Sequence, residues 1–141
     1  MKKIFKIDIT LYILGFLTAI TGFCFHIAGH GTNHHVWAIW AYVHTICSVA
    51  FVVFLVQHLR THKAWMRSLK KSPLDRRRKI VLTLGAFAIA VACTGLMLLA
   101  IKGANSHVGL WHYRLGIILT MMSIGHASKR HSILRKAIKN K

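Results

Sequence analysis

VWAIWAYVHTICSVAFVVFLVQHL, residues 36–59, runs for 24 residues without a Lys, Arg, Asp or Glu. About 20 predominantly apolar residues make a helix long enough to cross the hydrocarbon core of a bilayer. The stretch is therefore predicted to span a membrane, and residues 9–28, 80–101 and 108–127 read alike. None of the four contains an acidic residue, and Arg114 is the one Lys or Arg among them. The connectors are then 29–35, 60–79 and 102–107, the first and third long enough only for a turn between antiparallel neighbours. The first run is long, lacks a small-residue cleavage pattern and is followed by three others, so it reads as a span rather than a signal peptide. The predicted fold is all-α: a single integral membrane domain over 1–141, an up-down four-helix bundle.

Composition and charge placement support that class. Of 141 residues 55% are hydrophobic, with a formal net charge of +18 from 20 Lys and Arg against 2 Asp and Glu. Such hydrophobicity excludes a disordered chain, and a soluble nucleic-acid binder would not be this apolar. Every Lys and Arg except Lys102 and Arg114 falls in one of three places. These are the N-terminus (Lys2, Lys3, Lys6), the middle connector from Arg60 to Lys79, and the tail from Lys129 to Lys141. An even number of spans puts all three on one side, and the positive-inside bias makes it cytoplasmic, with both termini. Trp37, Trp40 and Trp111 then belong to the outer interface and Trp65 to the inner one. The charge is a topology signal; anionic lipid headgroups are its expected partners and nucleic acid is not. Cys24, Cys47 and Cys93 lie inside predicted spans without a CxxC or CxxCH motif, so zinc knuckles and covalent c-type haem attachment are unsupported and small buried core residues are the expectation.

The histidines carry the functional signal. Ionisable groups inside a membrane are costly enough to need a function or a partner. His44 and His58 lie in the second span and His112 and His126 in the fourth, each pair 14 residues apart. At about 100° and 1.5 Å per residue, each pair shares one helix face with about 21 Å between its members. The second and fourth spans run in the same direction. His44 and His112 are thus expected at one outer depth, and His58 and His126 at one inner depth. Each pair is a candidate to hold one iron from both sides, as in a bis-histidine b-type haem. That gives two non-covalent haems b about 20 Å apart. Spacing alone does not suffice, since His30 and His44 are also 14 apart and His30 sits between two glycines.

Small residues line the same stripes: Ser48, Gly116, Ser123 and Gly125 beside the ligands, with Gly15, Thr21-Gly22, Gly85 and Thr94-Gly95 on the other two spans. Gly22 and Gly95 are candidates for close approach of backbone to cofactor. Small residues also simply allow membrane helices to pack.

At this point the sequence resembles the small bacterial four-helix membrane proteins of a domain family of unknown function, related in pattern to cytochrome b. The residues concerned are Lys6 and Asp8, TGFCFH from Thr21 to His26, Val43-His44 and QHLRTHKAW from Gln57 to Trp65. Thr94-Gly95, Trp111-His112 and Gly125-His126 follow in the second half. Two histidines on each of two alternate helices are also similar to the diheme core of quinol-oxidising cytochrome b. The resemblance implies bis-histidine haem b, quinone chemistry, electron transfer to a partner redox subunit, and a place in the bacterial inner membrane as a multi-pass protein. The chain would be an electron-transfer subunit of a quinol or quinone oxidoreductase. The second half has no counterpart of His26 or of the GHGTNHH turn.

Other histidines remain open. His26 is a candidate alternative axial ligand, propionate donor or quinone-pocket residue, and equally a residue bonded to a backbone carbonyl. His62 follows His58 by four and competes with it as inner ligand, but lies beyond Arg60 in the headgroup zone; His131 is similarly peripheral. His30, His34, His35 and His107 read as solvated outer-surface residues. The HxxxH and HxxxHH patterns at 58–62 and 30–35 suggest a di-iron site only weakly, since they fall on opposite sides with no carboxylate in view. Arg114 is expected to meet a haem propionate or to snorkel to the surface. Arg60 and Lys129 are inner candidates for the same roles. No Gly-rich nucleotide-binding motif is present, and the spans hold no acidic relay for an ion pump. The competing readings are a non-redox metal- or haem-binding carrier or sensor, and a colourless structural anchor subunit.

Overall fold

In a computed structural model, residues 2–69, 75–101 and 106–139 are described, with side chains for 4–69, 75–101 and 106–128. Lys70, Lys71, Lys102 and Lys141 lie outside the described residues, as do the side chains of Lys2, Lys3, Lys129 and His131. The chain is all-α. Its helices are α1 (Lys2–Gly29), α2 (His34–Thr61), α3 (Lys63–Ser68), α4 (Arg76–Ile101) and α5 (His107–Lys139). At about 1.5 Å per residue each of the four long helices exceeds the bilayer's hydrocarbon core of about 30 Å. Among the described residues three are also apolar enough to cross it: Ile4–Gly29, His34–Thr61 and Arg76–Ile101. The expected fourth run, 108–127, lies in α5, taken whole the least apolar of the long helices.

Local chemistry explains where the helices begin. Asn33 caps α2, its side-chain oxygen accepting from the backbone N–H of His35 at 3.0 Å and of Val36 at 3.2 Å. Asp75 caps α4 in the same way, accepting from Arg78 N–H at 2.8 Å. Ser106 opens α5 by accepting from Gly109 N–H at 3.2 Å. These side chains satisfy amide groups that have no partner within the helix. The middle connector is not all loop, because Lys63–Ser68 forms the short α3. The chain bends at His62, whose N–H reaches Leu59 O at 3.1 Å while its own carbonyl accepts from Met66 at 3.0 Å. Ala64, Met66 and Arg67 are good helix formers, and no Gly or Pro intervenes before Pro73.

The close helix pairs among the described residues are α1 with α2, α4 with α5, and α1 with α5. Four described residues are buried, Ile7, Asp8, Leu11 and Thr21, and all belong to α1. Large apolar side chains face outward instead, among them Phe16, Tyr42, Ile46, Ile89 and Met121. An apolar exterior of this extent fits a hydrocarbon surrounding rather than water. The cysteines are not the buried core residues expected: Cys24 and Cys47 are half-buried and Cys93 is exposed. On helices with apolar outer faces, a small apolar side chain is tolerated on either side.

The α1–α2 seam has a seven-residue repeat. Gly29, Gly22 and Gly15 on α1 face Trp37, His44 and Phe51 on α2, and Asp8 faces His58. Reading α1 backwards reads α2 forwards, so the two helices are antiparallel. A Cβ on Gly22 would lie 2.9 Å from His44 Cε1, and one on Gly15 would lie 3.3 Å from Phe51 Cε2. Each glycine leaves a notch that the facing ring fills.

Candidate functional site

The two buried polar side chains of α1 both touch histidines of α2. Thr21 Oγ1 lies 3.3 Å from His44 Nδ1, and Asp8 Oδ1 lies 2.8 Å from His58 Nδ1. The α4–α5 pair repeats the first of these contacts: Thr94 Oγ1 lies 3.0 Å from His112 Nδ1. Gly22 and Gly95, one residue on from each threonine, sit against the same rings. A Cβ on Gly95 would come within 3.1 Å of His112 Cε1. The space these two glycines leave is thus taken by the imidazoles. The Thr-Gly dipeptide seats a histidine from the neighbouring helix.

Hydrogen-bond direction settles the tautomers. A threonine hydroxyl has one proton. Thr21 donates it to Leu17 O at 2.8 Å and Thr94 to Ala90 O at 2.9 Å, one turn back in each helix. Each hydroxyl oxygen is then free to accept, and the Nδ1–H of His44 or His112 donates to it. Both rings therefore carry their proton on Nδ1 and leave the Nε2 lone pair available to a metal.

His44 and His112 approach each other. Their ring centres are 6.2 Å apart with the planes at 75°. Two imidazoles holding one metal between them, at about 2.0 Å per nitrogen, have ring centres about 6 Å apart. The helices that carry them, α2 and α5, are not among the closely packed pairs, so the two rings meet across a space between backbones. One turn inward from His112, Gly116 has nothing within 4 Å of where a Cβ would stand. The donor set and the ring separation fit a single metal centre shared by the two imidazoles.

The second histidine set is arranged differently. His58 Nδ1–H donates to the carboxylate of Asp8, which is 4% exposed, and this again leaves Nε2 as the available ligand atom. His62 lies beside it with ring centres 4.7 Å apart. Asp8, His58 and His62 each bring one ligand atom within 4.8 Å of the others, close enough to collect a metal ion. The expectation that no carboxylate serves the HxxxH pattern is thereby corrected. Asp8 is 50 residues away in sequence, and only the α1–α2 pairing delivers it. His126 is half-buried on α5.

Around the first pair, Phe25 stacks near His44 with centres 6.2 Å apart. His26 stacks face to face on Tyr113, centres 3.9 Å apart and planes at 12°, and His30 meets His26 edge-on at 4.8 Å. Tyr113 joins α1 to α5 here, a role that its position beside His112 did not advertise. Arg114 is exposed and its guanidinium lies 5.8 Å from the Trp111 ring centre, a cation–π contact. His34, His35 and His107 are exposed. Thr21, Thr94 and Asp8 are the site residues that sequence reasoning did not assign. The shared Thr-Gly dipeptide was the available signal for the first two, and a lone acidic residue at the start of an apolar run was the signal for the third.

Comparison with protein-family models, with curated proteins and with solved structures gave no significant match.

Proposed function

We propose that the chain is a diheme b-type cytochrome of the bacterial inner membrane, carrying electrons across the bilayer between a quinone pool and a partner redox protein. In this reading the four long helices form an up-down bundle with both termini cytoplasmic. His44 and His112 hold one haem and His58 and His126 the other. The observation that carries it is the facing of His44 and His112 at a centre-to-centre distance of 6.2 Å, each with Nδ1 occupied by a threonine of the neighbouring helix. The haem supplies reversible one-electron chemistry at an iron; the protein supplies ligation, spacing and a low-dielectric setting. Thr21 and Thr94 hold the rings in the ligating tautomer, and Gly22 and Gly95 give them room. Arg114 is the propionate candidate at this end, with Trp111 steadying its side chain. The stacked His26–Tyr113 pair is the candidate lining for a quinone headgroup.

The test is a reduced-minus-oxidised optical spectrum of the detergent-purified chain with pyridine haemochrome quantitation. Two low-spin b haems per chain are expected, and His44→Ala should remove one. A colourless protein after expression with adequate haem supply overturns the reading, as does retention of both haems in His44→Ala.

A second reading has its own observation. Asp8, His58 and His62 form a ligand set for a divalent transition metal, in a membrane carrier or sensor without redox function. That reading expects one zinc or cobalt ion per chain, lost in His62→Ala. The haem reading expects His62→Ala to leave both haems in place.

A further inference from the structure

Three histidines have their Nδ1 protons accounted for, and the acceptors differ in kind. His44 and His112 donate to neutral hydroxyls. His58 donates to a carboxylate. The chain has two acidic residues. Asp75 is exposed and caps a helix. Asp8 is withdrawn from solvent and lies 2.8 Å from the Nδ1 of His58. A buried carboxylate is costly unless it is paired and hydrogen-bonded, so its position beside His58 calls for a return in function.

A carboxylate that accepts the Nδ1–H draws that proton toward itself and leaves more negative charge on the ring. Such a partner raises the basicity of a ligating histidine. A more basic ligand favours the more highly charged, oxidised iron. A threonine hydroxyl does this far less. We propose that Asp8 is a positioning residue that holds His58 in its ligating tautomer and sets the potential of the iron on His58 below that of the iron on His44 and His112. The proposal rests on the diheme reading, and it makes the two centres unequal, so that electrons pass downhill from the His58 end to the His44 end. Cationic groups near the His58 end act in the opposite sense, chiefly Lys6, Arg60 and Lys63. All three are exposed, and solvent and salt screen them over a Debye length of about 8 Å. Asp8 is buried and touches the ligand.

The experiment is a potentiometric titration of the optical spectrum of the full-length protein in detergent, for wild type, Asp8→Asn, Asp8→Glu and His58→Ala. Asn keeps the shape and an accepting oxygen but removes the charge. The expected result is two components in the wild type, the lower one missing from His58→Ala. In Asp8→Asn the lower component should move up by at least a tenfold change in its oxidised-to-reduced ratio, about 59 mV for one electron. The upper component should stay in place, and Asp8→Glu should restore the wild-type order. If Asp8→Asn loses the lower component altogether, rescue by Glu with the upper component intact supports the positioning role, and failure of that rescue overturns it. Two haems whose potentials ignore Asp8→Asn, or shift together, overturn this proposal and leave the diheme reading standing. A colourless wild type overturns both.

Discussion

An imidazole offers a metal only the nitrogen that its surroundings leave without a proton, so the chemistry of His44 and His112 is decided by what touches Nδ1. Thr21 and Thr94 do this through hydroxyls already committed to backbone carbonyls one turn back. Gly22 and Gly95 decide how close the rings can come. Substituting Gly22 by Ala puts a Cβ 2.9 Å from His44 Cε1, so the ring or the helix must shift, an overpacking cost of about 1–3 kcal/mol. Gly22→Ala is expected to lower the melting temperature in detergent and to reduce haem content by up to one equivalent. Gly85→Ala, where a Cβ meets nothing within 4 Å, serves as the control. It should be neutral or slightly stabilising, because Ala is the better helix former. The histidines themselves were legible in the sequence from their spacing. Their partners were not: a threonine in an apolar run looks the same whether it packs against lipid or accepts from a ring 23 residues away.

At the scale of elements, glycines on a seven-residue repeat turn one side of α1 into a row of notches. Trp37, His44 and Phe51 of α2 seat in them. A heptad pattern keeps one helix face turned toward its partner, and here it places Asp8 opposite His58 at the end of the row. The glycines were visible in the sequence, with cofactor approach and helix packing as competing readings. At Gly22 and Gly95 the neighbour that fills the space is the histidine ring itself. Helix starts were chemically specified as well. Removing the Asn33 cap of α2 or the Asp75 cap of α4 leaves backbone N–H groups of the first turn without their acceptor, at a cost of about 1 kcal/mol each. Asn33→Ala and Asp75→Ala are therefore expected to lower thermal stability modestly while leaving the optical spectrum unchanged, which separates capping from cofactor binding.

On the scale of the whole molecule, many large apolar side chains of the described residues face outward, while Asp8 and Thr21 are buried against histidines of α2. The proposed topology follows from where Lys and Arg lie. Alkaline phosphatase fused after residue 33 should be active and fused after residue 69 inactive, with the pattern reversed for a fluorescent reporter that folds only in the cytoplasm. The opposite pattern would invert the orientation and with it the outer and inner labels of the two histidine sets. Length, hydropathy and charge order were sufficient for the all-α class and for three apolar helices able to cross a membrane. These are properties of contiguous segments and survive without knowledge of neighbours. The placement of His44 and His58 on one long helix, α2, and of His112 and His126 on another, α5, is likewise a property of contiguous segments. Which rings meet, which nitrogen is left to bind a metal and which ligand is backed by a carboxylate depended on the packing of α1 against α2, α4 against α5 and α1 against α5. Those are pairings between residues 18 to 68 positions apart, and a linear pattern of apolar residues cannot express them, because lipid and a neighbouring helix accept the same side chains.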